Sequence, residues 1–352
     1  MIDTLKLLIP VSDSALLQQM EGTLMRFQKK DLKTGEVEFE FFSANLKLGS
    51  YQRNVAIKST SNPKGLFIEC SFAKYAKGNN VEMIYPHHLI SIAEKLYTEL
   101  CKHVGQTLPP ISTWEVYRLD ICYNWLFKNK DEAIYAIDFI NRIDYPRKKK
   151  HVWDTSVMHQ GSAYVVKFYL KGPEFEKHDR KEIEKKDANR AYELKLWANN
   201  IVRFEVGLKH RYLCELFGLK KVYLTDIDSD HQIEDTLKHF LSKVFYYINN
   251  KTTTSAEVRR ILFDNFSKTK AMRLYQFYMG YYFDEEVKAM YLQGGLNRTT
   301  IYRYKKDLQK VGVGFVLSDK DNGAGTGILE QLVIPSTKTR FALFDVPDTI
   351  RP

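Results

Sequence analysis

Four short stretches of this chain alternate, with few exceptions, between apolar and polar residues, and all four carry reactive or charged groups on the polar side. Successive side chains of a β-strand point to opposite faces. In YVVKFYLK, Tyr164, Val166, Phe168 and Leu170 share one face, and Lys167, Tyr169 and Lys171 share the other. In VYRLDICYNW, Tyr117, Leu119, Ile121 and Tyr123 oppose Arg118, Asp120, Cys122 and Asn124. In IVRFEVGLKH, Val202, Phe204, Val206 and Leu208 oppose Arg203, Glu205, Gly207 and Lys209. In LFIECSF, Leu66, Ile68, Cys70 and Phe72 oppose Phe67, Glu69 and Ser71. Laid in one sheet, the apolar faces build a core. The other faces then gather Glu69, Asp120, Glu205, Arg118, Arg203, Lys171 and Tyr169 on one exposed side.

That collection has a chemical logic. Carboxylates on adjacent strands make an oxygen site for Mg²⁺ or Mn²⁺, so Asp120, Glu205 and Glu69 are the candidate metal ligands. Such an ion polarises a phosphodiester and stabilises the leaving oxygen. Arg118, Arg203 and Lys171 are placed to hold the phosphate and offset transition-state charge. Cations around Tyr169 favour its phenolate and make it a better nucleophile, and Lys167 beside it is a candidate DNA-binding residue. The same alternation is also the ordinary pattern of a half-exposed antiparallel sheet, with Arg-x-Asp and Arg-x-Glu as cross-strand ion pairs.

The surrounding pattern predicts an α+β fold, a mainly antiparallel sheet covered by helices, followed by a helical region. Strands are expected at VEFEFFSANLKLG and LFIECSFAKY, with a helix at HHLISIAEKLYTELCKHVG ending on Gly105. A strand at WEVYRLDICYNW and a helix at KDEAIYAIDFINRI come next. They are followed by a basic loop PRKKKH, the strand SAYVVKFYLK, one charged helix through EFEKHDRKEIEKKDANRAYELK, and the strand NIVRFEVGLKH. The polar NNKTTT stretch marks a linker between a catalytic domain, 1–250, and a helical domain, 251–352, whose segment 285–312 reads as helix–turn–helix. The opening MIDTLKLLIP is neither a secretory signal nor a membrane span. Cys70, Cys101, Cys122 and Cys214 are too dispersed for a zinc ribbon or a redox CxxC pair and read as reduced cytoplasmic thiols. A net charge of +10, from 53 Lys+Arg against 43 Asp+Glu, suits a polyanionic partner.

At these residues the chain resembles the replication initiators of filamentous phages, of the gene II protein type, and more loosely the rolling-circle initiators of some plasmids. The resemblance runs through MIDTLKLLIPVSDS, YRLD, KFYLKGPEFEKH, VRFEVGLKHRYLCELFGL and the C-terminal YQFYMGYY and GGLNRTTIYRYKKDLQKVGV. It implies a site-specific nickase that cuts one strand at an origin, stays linked to the 5′ end through a tyrosine, leaves a 3′-OH to prime a host polymerase, and later rejoins the displaced strand. It implies that Tyr169, followed by Lys171, is the attacking residue, with Arg118 and Asp120 on one supporting strand and Arg203 and Glu205 on another. The partners implied are origin DNA, duplex and single-stranded, with a host helicase and polymerase, in the cytoplasm of a bacterial host. The chain departs from many rolling-circle nickases in lacking a His-hydrophobic-His pair. His87 and His88 are adjacent at a helix start and read as capping or surface residues, and His151 and His159 flank the tyrosine strand. Glu174, after a Gly-Pro turn, either joins the site or caps the next helix.

In the C-terminal segment Asn297 is a good N-cap, and Ile301, Tyr304, Leu308 and Val311 form an inward stripe. Arg298, Thr299, Tyr302, Arg303, Lys305 and Lys306 are left outside. The first three of these six are placed to meet base edges and the last three phosphates, or else the helix is an ordinary amphipathic one with a solvated basic face. The run Arg147, Lys148, Lys149 and Lys150 either clamps DNA beside Tyr169 or is a solvated loop. A conjugative relaxase and a non-catalytic origin-binding regulator are the competing functions.

Overall fold

The computed structural model describes residues 1–11, 25–30, 33–34, 36–49, 53–61, 64–143, 145, 148–245, 254–313 and 331–334. These fall into two compact units, one built from Met1–Ile137, Arg147–Phe240 and Ile334–Pro352, the other from Asp138–Pro146 and Leu241–Val333.

The first unit is organised by a ten-stranded sheet in which every pairing is antiparallel. Its strands are β1 (Ile2–Pro10), β2 (Met25–Lys30), β3 (Val37–Leu48), β4 (Arg53–Ser61), β5 (Lys64–Ser71), β6 (Glu115–Leu126), β7 (Lys149–Trp153), β8 (Ser156–Gln160), β9 (Tyr164–Leu170) and β10 (Ile201–Lys209). Their order is β2-β3-β4-β5-β1-β6-β10-β9-β8-β7. The opening segment MIDTLKLLIP is a central strand of this sheet. It is apolar because strands buried on both faces read as near-continuous hydrophobic runs.

The apolar faces behave as the alternation predicts. Leu119, Ile121, Val166, Phe168, Phe204 and Val206 are all buried. Phe168 and Phe204 face each other across β9 and β10 with ring centroids 4.9 Å apart, and Trp125 stacks on Phe204 at 5.8 Å. Stacks of this kind add roughly 0.5–1.5 kcal/mol beyond area burial.

The polar faces differ from expectation. Asp120, Asn124, Arg203 and Glu205 are 3%, 6%, 1% and 5% exposed, so the middle of that face is enclosed rather than open. The helices α1 (Phe72–Lys77), α4 (Lys171–His178), α5 (Arg180–Glu184) and α6 (Ala188–Asn199) follow from the segments that flank these strands. Val81, Phe175, Ile183, Ala191, Leu194, Ala198 and Ile201 form an apolar cluster among them. The long charged helix expected from EFEKHDRKEIEKKDANRAYELK is thus three helices. Asp187 caps the third by accepting from the Arg190 backbone N–H, which breaks the run.

Two helices fall where periodicity placed them, α2 (Leu89–Val104), capped by left-handed Gly105, and α3 (Lys130–Asn141). Two more, α7 (His210–Phe217) and α8 (Asp230–Phe245), are not anticipated from the sequence pattern. The expected basic loop is in fact the edge strand β7 from Lys149 onward, while Arg147 lies outside the described residues. All four cysteines are free. Among the described residues no helix is long and apolar enough to cross a membrane.

The second unit holds α9 (Ser255–Asn265), α10 (Lys268–Phe283), α11 (Glu285–Met290) and α12 (Arg298–Lys310), with a π-turn at Tyr291–Gly295 between the last two. Gly294, at φ 118, takes a backbone conformation that side chains disfavour and turns the chain. The NNKTTT stretch lies outside the described residues except for Thr254, which caps α9.

Candidate active site

Strand register assembles the site. Arg203 on β10 lies opposite Tyr169 on β9, Glu205 lies opposite Lys167, and Gly207 lies opposite Asp120 on β6. On the other flank, Lys6 of β1 lies between Arg118 of β6 and Glu69 of β5. The four alternating segments therefore meet on one sheet face, as the sequence predicts.

Tyr169 donates its hydroxyl to Oε2 of Glu205 at 3.0 Å, and Lys167 donates to Oε1 of the same carboxylate at 2.7 Å. Both residues line a cleft of about 820 Å³, whose wall includes Lys74, Trp153, Ser156, Pro173, Glu174 and Lys177. Burial, reinforced by the charge on Glu205, holds the Tyr169 phenol well above its usual pKa. The expectation that surrounding cations lower it is not met. Arg203 opposes the rise but does not overcome it.

Lys171 and Arg203 are placed differently from expectation. Lys171 is the first residue of α4, not the last of the strand, and is completely buried. Its ammonium donates to Asn80 Oδ1 at 2.5 Å and pairs with Glu174. Burial, with Arg203 nearby, brings its pKa down to about 8. Arg203 gives Nε–H to Asn124 Oδ1 at 2.8 Å, an Nη2 hydrogen to the Asn80 carbonyl, and Nη1 to Asp3 at 3.5 Å. Neither cation is presented to solvent as a phosphate clamp. They shape the floor beneath Tyr169. Glu174 belongs to this group rather than to a helix cap: it pairs with Lys171 and Lys74, and they outweigh burial to lower its pKa.

Asp3, Lys74, Asn80 and Asn124 complete this floor, and strand alternation assigns none of them a role. Asp3 sits where the β1–β6 register shifts between Ile2 and Leu5, and a bulge of that kind re-aims a side chain. Its carboxylate accepts from Ser71 Oγ at 2.6 Å and from Asn80 Nδ2 at 3.2 Å. The one signal for Asp3 in the sequence is an acid inside a largely apolar run.

The carboxylate cage for Mg²⁺ or Mn²⁺ is not formed. Arg118 donates to both oxygens of Asp120, at 2.8 and 2.6 Å, and to Glu69 at 3.0 Å. Both oxygens of Glu205 are held by Lys167 and Tyr169. Among the described residues no group of three or more His, Cys, Asp or Glu side chains is arranged to hold an ion. A divalent ion there would have to displace Arg118 and Lys167, so these donors as arranged do not fit one. Gly207 gives Asp120 its space: a Cβ there would lie 2.9 Å from the carboxylate. Burial and the charge on Glu205 raise Asp120 to about 7 against the pull of Arg118.

The histidines take no part in the Tyr169 contacts. His87 bonds Asp230 at 2.9 Å, His151 bonds Gln160 at 3.2 Å, and His159 is buried. Lys148 lies 4.0 Å above the Tyr164 ring, and Lys149 and Lys150 stand on β7.

In the second unit Asn297 caps α12 by accepting from the Thr299 N–H, as predicted. Ile301 and Leu308 are buried, Tyr304 packs edge-on to Phe277 at 5.2 Å, and Val311 is half-buried beyond the helix. Arg298, Thr299, Tyr302, Arg303 and Lys306 are exposed. Lys305 is not: its ammonium donates to the Tyr281 hydroxyl at 2.8 Å and lies over that ring.

Residues 1–234 match the family model for the N-terminal region of the phage gene II-type replication-associated protein. No curated protein matches the chain.

Proposed function

The chain belongs to the filamentous-phage family of gene II-type replication-associated proteins, and from that premise we propose that it initiates rolling-circle replication by nicking one strand of an origin with Tyr169. The observation that carries this reading is the hydroxyl of Tyr169, a residue that lines the cleft, 3.0 Å from a carboxylate that can take its proton. In the step, Tyr169 Oη forms a bond to phosphorus as its proton passes to Glu205. The bond from phosphorus to the 3′ oxygen breaks, and that oxygen takes a proton from solvent water and leaves as a 3′-OH. The product is a 5′-phosphotyrosine. Attack on that ester by a 3′-OH, which gives its proton to solvent water, reverses the step and rejoins a strand, with Glu205 returning the proton to the phenol. Lys167 and Lys74, which line the cleft, offset charge on the phosphate.

The second unit, with helices α9 to α12, is assigned to origin binding. Its α12 carries the exposed Arg298, Thr299, Tyr302, Arg303 and Lys306, a basic surface suited to duplex DNA. The test of the whole reading is a covalent-adduct assay on DNA from the intergenic region of the chain's own replicon. Wild type becomes linked to the 5′ end, the linked peptide contains Tyr169, and Tyr169→Phe binds without linking. An unimpaired Tyr169→Phe removes that residue from the role. Binding without any adduct in the wild type favours the origin-binding regulator.

A further inference from the structure

The register that builds the site continues past the nucleophile to the sheet edge. Tyr169 lies opposite Ser156 on β8, which lies opposite Trp153 on β7. One row along, Lys167 lies opposite Met158, which lies opposite His151. Paired residues share a face, so His151 and Trp153 stand on the same side as Tyr169 and Lys167. They are two strands away, about 10 Å at ~4.8 Å per strand. Their rings are stacked, with centroids 5.8 Å apart and planes 13° from parallel. Trp153 is 52% exposed and lines the cleft that holds Tyr169, whereas Trp114 and Trp125 are buried at 0% and 4%, and Trp197, 39% exposed, is not among the residues that line it. Exposing an indole forgoes the burial that usually justifies one. Lys149, next on the same face, is exposed.

The cleft is not repulsive to a polyanion despite its acids. Glu205 is paired with Lys167, Glu174 with Lys171 and Lys74, and Asp179 with Arg53 and Lys74. We infer that the stacked His151–Trp153 pair is a platform for one unpaired base of a single DNA strand, next to the phosphate presented to Tyr169, with Lys149 beside the backbone. Every base offers a π-face, so the platform grips a melted strand without reading its sequence. Its place beside the scissile phosphate rests on the nickase reading of Tyr169. Its binding of a base does not.

The test uses the full chain carrying Tyr169→Phe, titrated with a short fluorescent oligothymidylate. Trp153→Ala is expected to weaken binding about tenfold or more, and Trp153→Phe to stay within a few-fold of the parent. The part of the tryptophan emission that disappears in Trp153→Phe is expected to be quenched at saturation. Affinity for a random-sequence duplex stays the same in all three proteins. Single-strand affinity of Trp153→Ala within about twofold of the parent, or an unquenched Trp153 signal, overturns the platform. The adduct assay is read separately: a normal adduct with unquenched Trp153 defeats the platform alone, and a quenched Trp153 without any adduct defeats the nickase reading alone.

Discussion

The hydroxyl of Tyr169 and the carboxylate of Glu205 are joined across neighbouring strands by a 3.0 Å hydrogen bond, with the phenol as donor. Because burial and Glu205 hold the phenol above its usual pKa, little free phenolate exists near neutral pH. The proton must therefore leave as the bond to phosphorus forms. Glu205→Gln keeps the shape and loses the base, so adduct formation in a single turnover is expected to slow by roughly 10²–10⁴-fold. DNA affinity should persist. A variant that forms adduct at the wild-type rate would assign the proton to another group.

Lys171 is expected to support the site through stability rather than by touching phosphate. It is fully buried and bonded to Asn80 and Glu174. Lys171→Met leaves the Glu174 carboxylate with Lys74 alone, at a cost of ~3 kcal/mol in urea unfolding. Lys171→Met combined with Glu174→Gln is expected to recover part of that deficit, since the uncompensated charge is gone. Equal stability of Lys171→Met and wild type would contradict the burial argument.

Much of this arrangement is legible in the residue pattern, because β alternation is a local property. The pairing of Tyr169, Lys167 and Glu205 on one face needs only the strands and their adjacency. What covers that face is not local. Asn80 comes from the segment after α1 and Asp3 from a register shift, and no period in the sequence announces either. The unformed metal cage has the same origin. Arg118 and Asp120 share a face at spacing two, which predicts proximity, but the fork of hydrogen bonds that occupies both Asp120 oxygens is set by how the side chains settle once enclosed. Lys305 shows a similar limit: helical spacing places it beside the inward stripe, and Tyr281 on another helix captures it.

Asp120 gives a pH signature with a definite sign. Its folded pKa is about 7 against an ordinary 3.8, raised first by burial and then by Glu205. The folded state therefore holds this proton more tightly than the unfolded chain. That contribution to stability is present below about pH 4 and is lost as pH rises to about 7, with an upper bound of roughly 4 kcal/mol. Asp120→Asn does not titrate. Its stability relative to wild type, whatever the constant offset from removing the Arg118 pair, is expected to climb between about pH 4 and pH 7.5. Parallel urea-midpoint profiles for the two proteins across that window would show that Asp120 titrates normally.

The basic face of α12 separates into cations that can reach DNA and one that cannot. Arg303 and Lys306 are exposed, while Lys305 is committed to the hydroxyl and ring of Tyr281. Each cation–phosphate pairing removed should reduce the slope of log affinity against log salt by about 0.9 on duplex DNA. Arg303→Ala and Lys306→Ala are therefore each expected to flatten the slope by about one and to weaken origin and random duplexes alike. Lys305→Ala should leave the slope unchanged and lower the melting temperature, because it removes the hydrogen bond and ring packing that tie α12 to α10. A slope that falls for Lys305→Ala but not for Arg303→Ala would mean that DNA approaches a different face of this helix.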